Sequence, residues 1–411
     1  PVVQSTFDEA DSVMADILEK PLSTYMDPTE LADASAKKRA FADLTKTEIT
    51  QPAMLTADIA ILRLLAEFGF KPDLVAGHSL GEYGACVAAG VMDFPTALKT
   101  VAARGTEMAN VEPMDGDVGL MAALGASVEK VQPILDAVDG YVVCANKNCD
   151  SQTVIGGSSP AVKAVMEKVK EAGIEGTLLP VSHAFHTRVV ETASAPLKRH
   201  LDSMEINTPS LPILSNVTGE YYPTDPEQIV DLLSQQVAAP VEFITEIRRM
   251  YADGARTFVE VGPKRAQTGF VSNILDGKPH AALYTNHPKF GGMTSLRRAV
   301  AQMLANGYVP GKPAEAAVSA SVEVAPKAAA VAAKTVHVGL DKDSVYNAIV
   351  EVLCEQTGYA TDEIEPDFEL EADLGIDTVK QAEIMAKVRE IYGLEADSEF
   401  RLAEYPSLQG L

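Results

Sequence analysis

The stretch PDLVAGHSLGEYGACVAAG, residues 72–90, places Ser79 between Gly77 and Gly81. A G-x-S-x-G pattern on a strand-to-helix turn projects a serine hydroxyl from a tight bend. The helix behind the bend offers free N–H groups to a developing oxyanion, and Leu80 N–H is the donor such a turn implies. A serine hydroxyl needs a base before it can attack a carbonyl at neutral pH. Seven histidines are available. His78 adjoins Ser79 but is turned away by the bend. His183 and His186, in VSHAFHTRVV, fall at a junction between two runs of elements and so can face a cleft. His200, His280, His287 and His337 stand in surface-like or linker contexts. A serine activated in this way forms an acyl-serine, which either water or a thiol can then discharge.

The surrounding elements must position these groups. Ile59, Leu62, Leu65 and Phe68 recur at helical spacing and predict a helix over 58–68. Leu74–Ala76 reads as a buried strand, Leu80–Ala89 as a tightly packed helix, and Thr257–Val261 as a strand stopped by Gly262-Pro263. This alternation predicts an α/β fold with a mainly parallel sheet. The middle changes rhythm. It reads as a strand (118–124), a helix (128–138), two strands (141–145 and 152–155), a helix (160–172) and a last strand (176–181). That βαββαβ order is the ferredoxin-like plan. The expectation is a hydrolase-like, parallel-sheet large subdomain, 1–116 and 183–310, with a ferredoxin-like small subdomain inserted at 117–182. The cleft between them is the natural substrate site.

Residues 312–334 are nearly half alanine, interleaved with Pro and Lys and without a large apolar anchor, so 311–336 reads as a linker. Asp341–Leu411 carries 18 acidic and 5 basic residues, a net of −13 in a chain whose total is −24. Val345, Ile349, Val352 and Leu353 mark one amphipathic helix there. Val379, Ala382, Met385, Ala386 and Val388 mark a second, with Asp377 placed to cap it. A small all-α helical bundle over 337–411 is predicted. The overall acidity argues against a nucleic-acid partner, since phosphate binding needs clustered Lys and Arg. No continuous apolar run approaches the ~20 residues that span a bilayer, so no membrane is expected. The four cysteines are scattered without ligand spacing, which argues for free thiols, a cytoplasmic location and no metal. The first residue, Pro1, reads as the start of a piece of something longer or processed.

GHSLGEYGA, Arg104 in VAARGTEM, HAFH at 183–186, ILSNVTGEYY and FVEVGP together resemble the malonyl-CoA:carrier-protein acyltransferase family. The similarity is to the acyltransferase domains of polyketide and polyunsaturated fatty acid synthases, and it covers most of residues 7–305. It implies that Ser79 is acylated, that His186 is its base, and that Arg104 pairs bidentately with a malonyl carboxylate, a task suited to a planar guanidinium. It implies that Gln236 orients the histidine through its backbone carbonyl, with neighbouring Gln235 the weaker candidate. Gln51 lines the site, although a plain role near a helix N-terminus is open. In this family HAFH accompanies malonyl units. Phe185, beside His183, would fill the space that an α-methyl needs, a discrimination of ~1–3 kcal/mol.

EADLGIDTVKQAEIMAKVREIYG and FRLAEYPSLQGL resemble acyl carrier domains. Carriers hold 4'-phosphopantetheine on a serine where this chain has Thr378, whose β-methyl crowds the hydroxyl. The expectation is a carrier-like domain that docks or spaces and does not carry. The resemblance implies malonyl-CoA as substrate, no cofactor bound by the acyltransferase, and as partners an acyl carrier protein, a ketosynthase and other synthase domains. One departure stands out. Family members open with a strand bearing Gly-Gln-Gly-Ser-Gln, whose first glutamine supplies the second oxyanion N–H, and this chain starts PVVQSTFDEAD. The alternatives are a serine hydrolase or thioesterase, and a catalytically impaired docking scaffold.

Overall fold

The computed structural model describes residues 1–26, 34–113, 116–287 and 289–311, with scattered positions between 346 and 388. Contacts divide the chain into two units, Pro1–Ser319 and Ala320–Leu411. The first unit opens with helices α1 (Val2–Met14), α2 (Leu22–Met26), α3 (Ala34–Leu44), α4 (Thr47–Glu67), α5 (Gly81–Ala88) and α6 (Phe94–Ala109). The insert follows as β1 (Leu120–Leu124), α7 (Val128–Asp136), β2 (Val142–Cys149), β3 (Gln152–Gly157), α8 (Ser159–Glu171) and β4 (Gly176–Leu178). A 3₁₀ turn at Arg188–Ala193 leads to α9 (Ser194–Asp202), α10 (Pro226–Gln236) and α11 (Phe243–Ala252). The unit closes with β5 (Thr257–Glu260), α12 (Ala266–Ile274), β6 (Ala281–Tyr284) and α13 (Gly291–Ala305).

The insert forms one antiparallel sheet in the order β2-β3-β1-β4. Its two helices cover one face, where Leu124, Val131, Ile155, Val162 and Val165 form a separate core. This is the ferredoxin-like arrangement. In the large subdomain β5 and β6 pair in parallel. The strand expected at Leu74–Ala76 is reduced to a single parallel bridge, Val75 to Ile213. One bridge fixes direction, but it does not extend into a ladder among the described residues.

Helix α4 starts eleven residues earlier than the apolar spacing predicts. Its first turns carry Glu48, Gln51 and Pro52, which the apolar pattern alone does not reveal. Among the described residues it is the one helix long and apolar enough, by length and composition, to cross a membrane, and half of its apolar stretch is buried inside the protein. Here it packs against α1 and α6, with Arg63 bonded to Glu9 at 2.6 Å and stacked 4.9 Å over Phe94. Gly105 permits a close approach of α6 to α4, for a Cβ there would lie 2.7 Å from Glu48 Cα. That contact sets residue 104 opposite residue 51.

In the tail, Ile349, Val352 and Leu353 are helical and buried, as are Ile384 and Val388. Val345, Asp377, Thr378, His337 and linker residues 312–336 lie outside the described residues.

Candidate active site

Ser79 sits at φ +53°, in the left-handed region that disfavours side chains, and the bend leads directly into α5. Gly77 makes the bend possible, since a Cβ there would lie 2.0 Å from the Gly81 carbonyl carbon. His186 also takes a left-handed backbone, φ +57°, held by its N–H to Val237 O at 3.1 Å. Ser79 Oγ and His186 Nε2 are 2.6 Å apart. His186 Nδ1 lies 3.1 Å from both Gln236 O and Ala239 O. Two carbonyls can only accept, so Nδ1 carries the proton and Nε2 is left to accept from the serine hydroxyl. Burial, then the nearby Arg104 charge and His78, push the His186 imidazole down to about 3. It is neutral at pH 7, the state that a base requires.

Asn216 braces the bend. Its Oδ1 accepts the Ser79 N–H at 2.6 Å, and its Nδ2 donates to Gly77 O at 2.5 Å and to Glu246 Oε1 at 2.8 Å. The Ser79 amide is therefore occupied. The Leu80 N–H meets no acceptor among the described residues and is available to an oxyanion.

Arg104, on α6, is 2 % exposed. Its Nη1 donates to Gln51 Oε1 at 2.7 Å and its Nη2 to Gln236 Oε1 at 3.1 Å. Among the described residues no carboxylate forms an ion pair with it. Gln51 is held in turn by Nε2 bonds to Thr47 Oγ1 at 2.9 Å and Met108 Sδ at 3.6 Å. The Gln236 side chain, which the sequence did not single out, links the site: its Nε2 donates to Ser79 O at 2.7 Å and to Glu82 Oε2 at 2.8 Å. Glu82 is fully buried and accepts from Tyr222 Oη at 2.5 Å and Asn216 N at 3.3 Å. Burial pushes its carboxyl up to about 7 against these donors.

Phe185 packs between the two subdomain cores, and its ring centroid lies 6.1 Å from that of His183. His183 is 7 % exposed and its Nδ1 is 3.1 Å from Ser182 Oγ. It is close to His186 in sequence but is not hydrogen-bonded to Ser79. His78 turns away as expected, with Nε2 2.8 Å from Asn148 Oδ1. His287 corrects its surface-like assignment, being 3 % exposed, because its ring packs 4.7 Å from Phe290. Glu82, Asn216, Tyr222, Ala239 and Glu246 were missed. The one local signal was an acid inside the otherwise small and apolar GEYGACVAA.

The family model for the acyl transferase domain matches residues 1–303. The chain belongs to that family. It is thus an acyltransferase, with Ser79, His186 and Arg104 converging inside the matched region. A second model, phosphopantetheine attachment site, matches residues 347–411. The chain is 36% identical over 278 residues to the malonyl CoA-acyl carrier protein transacylase of Bacillus subtilis, covering 67% of this chain and 83% of that protein. It is 33% identical over 269 residues to a polyunsaturated fatty acid synthase polypeptide of a Thraustochytrium species, 64% of this chain but 9% of that much longer protein. The crystal structure of malonyl CoA-acyl carrier protein transacylase from Clostridium perfringens superposes with a TM-score of 0.64 at 31% identity, covering 74% of this chain and 90% of that one.

Proposed function

We propose that this acyltransferase moves a malonyl group from malonyl-CoA, through an acyl-enzyme on Ser79, to the phosphopantetheine thiol of an acyl carrier protein in a polyketide or fatty acid synthase. His186 Nε2 takes the Ser79 proton as Oγ attacks the thioester carbonyl, and the Leu80 N–H holds the oxyanion. The C–S bond breaks, and the CoA sulfur leaves with the proton returned by His186. A carrier thiol then gives its proton to His186, attacks the acyl-serine, and restores Ser79.

The observation that carries the malonyl reading is Arg104. A buried cation with no carboxylate in ion-pair contact among the described residues, Glu82 acting on it only at longer range, costs several kcal/mol of desolvation, and a substrate carboxylate would supply the missing charge beside the nucleophile. A hydrolase acting on neutral acyl groups has no use for it. Phe185 narrows the same space and favours malonyl over methylmalonyl.

Intact-mass measurement after incubation with malonyl-CoA should show one malonyl adduct that Ser79→Ala abolishes. Methylmalonyl-CoA should label more slowly. Adding a holo carrier should move the label to the carrier. Free malonate outpacing malonyl-carrier would instead establish a hydrolase, and no adduct at all a docking scaffold. Thr378 should gain no phosphopantetheine when a phosphopantetheinyl transferase is present, leaving the tail a docking or spacing role.

A further inference from the structure

The Arg104 guanidinium is anchored on two of its three nitrogens. Nη1 is held by Gln51 and Nη2 by Gln236, but among the described residues the buried Nε–H has no acceptor. The buried hydroxyl of Tyr83 has no partner among them either. Both groups belong to one nest. Arg104 Cζ lies 5.7 Å from the centroid of the Tyr83 ring, and Tyr83 is wholly inaccessible. Each acts on the other through charge and through a side-chain approach of hydrogen-bond type, but the two fall short of full hydrogen-bond geometry. Two neighbouring orphaned polar groups call for an explanation, because native interiors leave few such groups unpaired. A phenol oxygen can accept a hydrogen bond while its proton donates elsewhere.

We infer that Tyr83 is a positioning residue for Arg104: its oxygen takes the Nε–H, directly or across one buried water, as the third anchor of the guanidinium. The inference rests on the reading of Arg104 as a carboxylate clamp. A guanidinium has five N–H groups. With Gln51 and Gln236 using one on each Nη, and Tyr83 using Nε, one N–H remains on each Nη. That leaves a single bidentate presentation, end-on, to the malonyl carboxylate. Without the phenol oxygen, the Nε edge competes and the productive pose is diluted. Tyr83 stands four residues after Ser79 on α5, so one helical turn would position both the nucleophile and the clamp.

Tyr83→Phe deletes one oxygen and keeps the ring in its slot. Acylation of Ser79 should then lose about ten- to a hundredfold in kcat/KM for malonyl-CoA, the scale of one hydrogen bond to a charged group, mainly through KM. Slow acylation by acetyl-CoA, which has no carboxylate, should stay within about twofold. Equal losses with both thioesters would assign Tyr83 to packing alone and overturn the inference, and so would no loss with either. Wild-type protein that accepts no malonyl-CoA overturns the clamp itself, which is a distinguishable result. If the variant does not fold, the Arg104 Nε proton in ¹⁵N-labelled wild-type protein serves as the readout. Slow exchange with water is expected, and exchange as fast as that of free arginine would overturn the inference.

Discussion

Ser79 and His186 each hold a left-handed backbone, a conformation that costs about 1–3 kcal/mol where the residue is not glycine. The strain is met by named partners, Asn216 for the serine and Val237 O for the histidine. Because His186 titrates at about 3, its neutral form persists well below the ordinary histidine range. The acid limb of kcat/KM for acylation should therefore fall far below pH 6.5, and an inflection at 6.5 in the pH–rate profile would contradict this placement. Arg104→Ala removes the proposed clamp. Losing one partner of a desolvated charge pair costs about 3–5 kcal/mol, so kcat/KM for malonyl-CoA should fall at least a hundredfold. Acetyl-CoA should be far less affected, as competing acylation by the two thioesters would show.

At the scale of elements, two glycines decide whether the site assembles. Gly77→Ala would drive a Cβ into the backbone of Gly81, which cannot move without opening the α5 turn. Overpacking of this kind typically costs 1–3 kcal/mol or more, and thermal melting should show a clear drop together with loss of acylation. Gly105→Ala would pry α6 from α4 and lengthen the bond from Arg104 to Gln51. The expected outcome is a smaller drop in Tm with a disproportionate rise in KM for malonyl-CoA. The βαββαβ order of the insert was legible because strand and helix periods alternate cleanly over 118–181. The start of α4 was not, because Gln51 and Pro52 carry no amphipathic signal.

For the whole molecule, the buried carboxyls set the response to pH. Glu82 is pushed up to about 7, Asp58 to about 8, and Glu246 well above the usual carboxylate range, in each case first by burial. The folded state thus holds protons that the unfolded chain has released. This contribution is fully present below the unfolded carboxylate values and is lost as pH rises through the folded ones. His186 has the opposite sign, and its contribution is lost as pH falls below the ordinary histidine value. With three such carboxyls against one histidine, Tm should be highest near about pH 4–5 and fall toward pH 9. Calorimetry from pH 4 to 9 checks this, and a Tm that climbs steadily to pH 9 would refute it. The division at residues 319 and 320 leads to another expectation, that residues 1–319 alone still acylate Ser79.

Residue types and local spacing by themselves marked Ser79, its helix, the HAFH histidines and the ferredoxin-like order, because each depends on neighbours within a few positions, whereas Arg104 stood out only through the family resemblance. Only the tertiary structure showed which groups meet. Gln236 reaches Ser79 O across 157 positions, Asn216 reaches the Ser79 amide across 137, and Tyr222 reaches Glu82 across 140. Buried polar groups must find partners wherever the chain brings them, and that demand leaves no period or motif to read along the sequence.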